Sequence, residues 1–334
     1  MKNKYLVVDE VQKLRWIDSE LEKLQESYVR IKFNYCGICG SDVNLFMGRK
    51  DTGLPMSIGH EFTAEVIELG DNVTDLVLGD IVTSDINFRC GSCLNCIEGN
   101  SHLCESNKKS LFSNRGLAMY ADFHKDYLYK IGNIKPLFRG ALVEPLACVI
   151  HALNKTTPKE NDQVLVNGVG SIGTLFVFAL QTLFPLLKIS IRDINSKKIE
   201  SIKNIYNDNI NIYNEGEMQE EYSVIYEASS SPDGLRKACN LLKKNGRLSI
   251  MSHLDGYMNV NYITHILSRK DVEVQFPYLT GSKLNINKSI NIIEEFWTDN
   301  MDEEFLKIMN ISEIEDILKN KKNYNFNKLI ITLQ

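Results

Sequence analysis

Gln163-Val164-Leu165-Val166-Asn167-Gly168-Val169-Gly170-Ser171-Ile172-Gly173 is the stretch whose reading settles the fold. A short β-branched run ends in glycines spaced G-x-G-x-x-G, and an apolar helical pattern follows directly. In such a strand–turn–helix, Gly168 permits the tight turn and Gly170 leaves room for a diphosphate to approach the backbone. Ser171 and Ile172 open the helix whose N-terminus attracts that anion, and Gly173 lets the helix pack against the strand. Asp193 closes the next strand, Lys188 to Arg192, twenty residues after Gly173. A carboxylate there accepts hydrogen bonds from an adenosine ribose. It also repels a 2'-phosphate and so favours NAD, while Arg192 beside it keeps NADP open. The bland alternative is a glycine-bearing turn that binds nothing.

Outward from this motif, strands and helices alternate. A helix from Ser196, a strand Ser223 to Glu227, a helix Pro232 to Lys244 and a strand Arg247 to Met251 follow. Repeated βαβ units predict a parallel sheet covered by helices. Upstream, from Lys4 to about Lys130, the pattern changes to short β-branched and aromatic runs such as Tyr28 to Tyr35 and Thr63 to Leu69, cut by Gly, Asn and Asp turns. Met1 to Glu10 reads as a first strand, and the last fifty residues return to helix and strand, ending in Lys328 to Leu333. The expectation is an α/β protein with a β-rich half and a doubly wound parallel-sheet half, and 334 residues suit two domains.

The composition is that of an ordinary globular protein. A net charge of −5 argues against nucleic acid as a partner. The basic pairs Lys108–Lys109 and Lys321–Lys322 read as solvated surface. Met1 to Glu10 lacks the apolar region and cleavage site of a secretory signal. Ile172 to Ile189 is apolar, but Gln181, Thr182 and Pro185 interrupt it, so a buried helix is expected and a membrane span is not. These features point to the cytoplasm, a reducing compartment in which clustered thiols more often hold metal than form disulfides.

Half of the eight cysteines, Cys90, Cys93, Cys96 and Cys104, are spaced C-x2-C-x2-C-x7-C. Four soft thiolates that can converge on one ion suit structural zinc, with no open position for substrate. Ferredoxin-type clusters begin with the same spacing, but their fourth cysteine follows after three residues and precedes proline; here Glu105 follows Cys104. A cluster, a disulfide pair and free thiols are the alternatives. A second group lies upstream: Cys36-Gly37-Ile38-Cys39-Gly40-Ser41-Asp42 and, about twenty residues on, Gly59-His60-Glu61. One thiolate, one imidazole and one carboxylate would leave a fourth position open, as catalytic zinc requires. The spacing equally allows a redox Cys-x-x-Cys pair or buried thiols.

Cys39-Gly40-Ser41-Asp42, Gly59-His60-Glu61-Phe62, the four-cysteine segment, Glu144-Pro145-Leu146-Ala147, the glycine turn, Glu227-Ala228-Ser229 with Pro232 and the terminal strand occur in one order along nearly the whole chain. That order resembles the zinc-dependent medium-chain dehydrogenases of the alcohol dehydrogenase superfamily, especially the polyol and sorbitol dehydrogenase and threonine dehydrogenase branch. The resemblance implies a GroES-like catalytic domain, residues 1–147 with 286–334, carrying both zinc sites, and a Rossmann dinucleotide-binding domain, residues 148–285. It implies two zinc ions per chain, one of them structural on Cys90, Cys93, Cys96 and Cys104. Cys39 and His60 would hold the catalytic ion, with Glu61 or Glu144 completing the set. Asp42 would orient His60, and Ser41 would pass the substrate hydroxyl proton outward. The implied reaction is hydride transfer between NAD, or NADP, and a secondary alcohol or ketone of a polyol, cyclitol or sugar-like substrate. A homodimer or homotetramer is implied as well.

Other readings are a threonine-type amino-acid dehydrogenase and a zinc-stabilised NAD-binding protein without turnover. Asn44 stands where relatives often carry a proton-relaying histidine. Leu45 and Phe276-Pro277-Tyr278 replace a tyrosine and a Phe-Arg-Tyr segment that face a linear polyol in sorbitol dehydrogenases, so sorbitol itself fits poorly. Cys36, Cys148 and Cys239 read as packed thiols. His151 reads as structural at the domain junction and His102 as exposed. No function is read for His124, His253 or His265.

Overall fold

Two sheets share the amino-terminal half. The structure, a computed structural model, describes residues 1–49, 53–87, 89–106, 117–213, 221–251, 260–320 and 326–333. Lys108–Lys109, Lys321–Lys322 and His253 lie outside the described residues. In chain order the first elements are β1 (Lys2–Glu10), β2 (Lys13–Glu20), β3 (Tyr28–Gly37), α1 (Gly40–Phe46), β4 (Met56–Ser57), β5 (Glu61–Leu69), β6 (Ile81–Ser84), α2 (Leu94–Ile97), β7 (Tyr120–His124) and β8 (Leu128–Lys130). β1 pairs antiparallel with both β2 and β4. The remaining strands surround β3. Because side chains alternate across a strand, Val29, Ile31 and Phe33 of β3 and Phe62, Ala64 and Val66 of β5 all face one core. Phe33 and Phe62 meet there edge to face, with ring centroids 4.8 Å apart.

The central part is α3 (Val143–Lys155), β9 (Gln163–Asn167), α4 (Ser171–Leu183), β10 (Lys188–Arg192), α5 (Ser196–Tyr206), β11 (Ile210–Ile212), β12 (Tyr222–Glu227), α6 (Pro232–Leu241), β13 (Leu242–Ile250), α7 (Val260–Ser268), β14 (Glu273–Gln275) and α8 (Lys283–Phe296). Its six strands are ordered β11-β10-β9-β12-β13-β14, and every pair is parallel. That is a Rossmann sheet, with the strand order reversing between β9 and β12, where ligands bind in such folds. The expected helix from Pro232 ends at Leu241, three residues early. Leu242 is fully buried and pairs with Tyr222, and Asn245 takes a left-handed φ of 57° before Gly246. Sheet pairing and burial thus override the helical preference of Lys243 and Lys244.

Among the described helical runs, Leu137–Lys155 is long and apolar enough to cross a membrane by length and composition. It is a core element of the protein, with 78% of its apolar window buried and with contacts to α4 and α8. α4, predicted as a buried apolar helix, is one: Gly173 through Leu180 are all buried.

After α9 (Asp299–Phe305), β15 (Leu306–Asn310) and α10 (Ile314–Asn320), the chain returns as β16 (Lys328–Thr332). β16 inserts between β15, parallel, and β3, antiparallel, completing a seven-stranded sheet. Ile330 lies opposite Gly37, and on the other side of β3 Gly37 lies opposite Glu61. The end of the chain is thereby carried to the segment that holds Cys39 and His60.

Candidate active site

Cys39 follows β3 and caps α1, and its N–H donates to Asp42 Oδ2 at 2.9 Å. The other oxygen of Asp42 accepts from Gly59 N at 3.0 Å. One buried carboxylate therefore ties together the backbones that present Cys39 and His60. Asp42 Oδ1 lies 3.7 Å from His60 Nδ1, a charge contact longer than a hydrogen bond. Burial disfavours charge on His60, but Asp42 and then Cys39 outweigh it and raise its pKa well above the ordinary range. Single donor atoms of Cys39, His60 and Glu61 lie within 4.8 Å of one another, and His60 and Glu61 are buried. Ser41 sits half-buried in the first turn of α1.

Glu144 enters from the first turn of α3, only 3% exposed. Burial pushes its pKa up to about 7, against the pull of His60. The Cys148 thiol, one helical turn on, donates to Glu144 Oε1 at 3.4 Å. Cys148 is therefore more than core filling. Cys36 and Cys239 are packed thiols, as expected.

Sequence reasoning missed Lys328. Its buried ammonium pairs with Glu61 Oε2 and donates to Ile38 O at 3.2 Å. Burial works against its charge, but Glu61 and then Cys39 keep its pKa above the usual lysine range. Removing one partner of a buried pair leaves the other uncompensated, so Lys328→Met is expected to destabilise the metal-free protein by about 3 kcal/mol. Adding Glu61→Gln should restore most of that. Denaturant midpoints measured in chelator check both, and an unaltered midpoint in Lys328→Met would contradict the pairing.

At the glycine turn, Gly168 takes φ +94° and its N–H donates to Arg192 O at 2.7 Å, joining the ends of β9 and β10. Gly173 lies so close to Gly168 O that no side chain fits there. Asp193 accepts from Val169 N through Oδ2 and from Asn195 N through Oδ1, both at 2.8 Å. Arg192 is half-buried at the end of β10, and Ser171 and Ile172 begin α4. Ser171 Oγ is buried with no partner among the described residues, a hydroxyl left available at a helix N-terminus. Two contributors to this region were not foreseen. Lys198 Nζ hangs over Gly170, 3.8 Å from where a Cβ would stand. Asn327 Nδ2, beside Lys328, donates to Val169 O at 3.2 Å and to Thr174 Oγ1 at 2.7 Å.

The four-cysteine lobe is closed. Cys90 and Cys96 sulfurs are 3.9 Å apart, as are those of Cys93 and Cys104, and the four lie within 4.8 Å of one another. A tetrahedron with Zn–S bonds of about 2.3 Å has edges of about 3.8 Å. All four are unbonded thiols in the structure, and N–H groups of Ser92 and Cys93 point at Cys90 Sγ. His102 corrects its reading as exposed: it is buried, its ring 4.8 Å from that of His151. The turn Ser101–Leu103 tucks the imidazole against α3, and burial pushes His151 down to about 4, keeping that ring neutral. Nearby, Thr280 Oγ1 donates to Asp85 Oδ1 at 3.0 Å and accepts from Asn87, so a buried polar seam joins the lobe's root to the segment before α8.

Residues 25–133 match the model of the alcohol dehydrogenase GroES-like domain. A sorbitol dehydrogenase of Halalkalibacterium halodurans is 38% identical over 44% of this chain and 43% of its own length. A D-arabitol-phosphate dehydrogenase of Enterococcus avium is 27% identical over 92% of this chain and 94% of its own. Among solved structures, galactitol-1-phosphate dehydrogenase from Escherichia coli superposes with a TM-score of 0.84 at 21% identity, covering 98% of this chain and 99% of that one. Residues 25–133 thus carry an alcohol dehydrogenase GroES-like domain, and the chain shares its fold, including the Rossmann sheet, with that solved structure along nearly its whole length.

Proposed function

We propose that the protein is a zinc-dependent oxidoreductase transferring hydride between NAD(P) and a secondary alcohol or ketone of a polyol, cyclitol or sugar-like substrate. The observation that carries this reading is the incomplete donor set Cys39, His60 and Glu61, held apart from the closed four-sulfur lobe. Two zinc ions per chain are part of the proposal, as are the domain limits 147/148 and 285/286. Their donor chemistry fits: four thiolates for a structural ion, and mixed sulfur, nitrogen and oxygen donors with room for substrate for a catalytic one.

Cys39 and His60 would hold the catalytic ion, with Glu61 or Glu144 as third donor. When bound, zinc polarises a hydroxyl or carbonyl oxygen, and the nicotinamide carries the hydride. Asp42 fixes the backbones on which the donors stand. Lys328 holds one Glu61 oxygen and offsets the negative charge collected by Cys39, Glu61 and Glu144. Ser41, in the first turn of α1, hands the substrate proton outward, and Asn44 cannot extend that relay as an imidazole would. Gly168, Gly170, Gly173, Ser171 and Ile172 form the diphosphate cradle, Asp193 takes the ribose, and Lys198 adds a cation above the turn. Small alcohols or ketones are the partners, the assembly is a homodimer or homotetramer, and the compartment is the cytoplasm.

The test is a panel of polyols, polyol phosphates, aminocyclitols and threonine offered with NAD and with NADP, followed by absorbance of the reduced nicotinamide. Turnover of a polyol or polyol phosphate is the expected result. Turnover of threonine alone would select the amino-acid reading, and silence across the panel in zinc-replete protein would contradict catalysis.

A further inference from the structure

We infer that Cys148 is a positioning residue: its thiol holds Glu144 against α3 and so keeps that carboxylate out of the position that the donors Cys39, His60 and Glu61 leave open to substrate. This rests on the open-site reading above. Glu144 is 3% exposed in the first turn of α3. After burial, the charges of His60 and Glu61 act on it most strongly, which places it at the edge of the cluster. It is nevertheless outside the set of three residues whose donor atoms lie within 4.8 Å of one another. A carboxylate is itself a good zinc donor, so an acid this close needs something to hold it away.

Each of the two acids has one oxygen committed. Glu61 gives Oε2 to the Lys328 ammonium, and Glu144 gives Oε1 to the Cys148 thiol at 3.4 Å. An ionised carboxylate only accepts, so the thiol is the donor. The i, i+4 spacing sets the two side chains one above the other on a single helix face, so the bond draws the carboxylate along α3. It is the only hydrogen bond to that carboxylate among the described residues. Burial along the helix supports the same role. From Val143 to Leu153 every residue of α3 is buried except Cys148. A thiol that served packing alone would be sealed like its neighbours. Instead, the one position where this stretch of helix meets accessible space is the position that grips Glu144, and that space gives a released carboxylate room to turn.

Zinc retention against a competing chelator, read on the full chain at the site that Cys39→Ser empties, tests this together with steady-state rates. Cys148→Ala should hold that zinc about tenfold more tightly and turn over about tenfold more slowly, because Glu144 then takes the open position. Cys148→Ser keeps a donor one turn from Glu144 and should bring both values back to within about threefold of the unaltered protein. A packing role gives another pattern, with zinc weakened or unaltered in Cys148→Ala and no rescue by serine, and that result would overturn the inference. Should Cys148→Ala fold poorly, Glu144→Gln decides by itself. Its zinc retention should stay within about threefold of the unaltered protein, whereas loss of the ion would make Glu144 the third donor and end the proposal. Where both variants fold, adding Cys148→Ala to Glu144→Gln should leave zinc retention where Glu144→Gln put it, and a further tightening would contradict a role exerted through Glu144. An unaltered protein that takes up zinc only in the four-cysteine lobe would instead overturn the open-site reading, and this inference with it.

Discussion

Cys39→Ser is expected to lower kcat by about a thousandfold or more, while the melting temperature stays within a few degrees. The two halves of that result have separate causes. Serine is hard and un-ionised at neutral pH, so it cannot replace a thiolate as a soft zinc ligand. Folding hardly senses the change. Cys39 is a partly exposed N-cap whose structural tie is its backbone N–H to Asp42, and serine is a preferred N-cap residue. Steady-state rates on the best substrate of the panel, with thermal melts in parallel, check both halves. Full specific activity in Cys39→Ser would remove the catalytic assignment altogether.

Cys90→Ser should behave in the opposite way, lowering the melting temperature by about 10 °C and reducing turnover of the surviving folded chains by less than about tenfold. The lobe has little else to hold it. α2 buries none of its residues, and Leu94 and Ile97 are 64% and 70% exposed. Its order comes from four converging sulfurs and from N–H groups of Ser92 and Cys93 directed at Cys90 Sγ. Loss of one sulfur releases the ion and, with it, the turn that seats His102 against His151. Thermal melts and limited proteolysis of residues 89–106 follow this directly. An unaltered melt would contradict a structural role for the lobe.

What the sequence made legible was local. The glycine turn and the four-cysteine spacing are each set within a few residues, where strand, turn and helix geometry leaves little freedom. The alternation of strands and helices after Gln163 likewise predicts the parallel sheet. Partners brought together by topology stayed hidden. Lys328 and Glu61 are 267 residues apart, and nothing around Lys328 distinguishes it from a surface lysine until β16 is placed against β3. The seat of His102 depends on α3 in the same way, which is why its burial escaped notice. Lys198 had a usable signal: a basic residue five positions after Asp193, in the first turn of the helix that leaves the ribose edge.

Zinc per chain, measured on the unaltered protein and on Cys39→Ser after identical purification, tests most directly the claim that turnover belongs to the open site and stability to the closed one. The expected values are about two and about one, with turnover lost alongside the single ion. Equal zinc in both proteins, with turnover retained in Cys39→Ser, would contradict it.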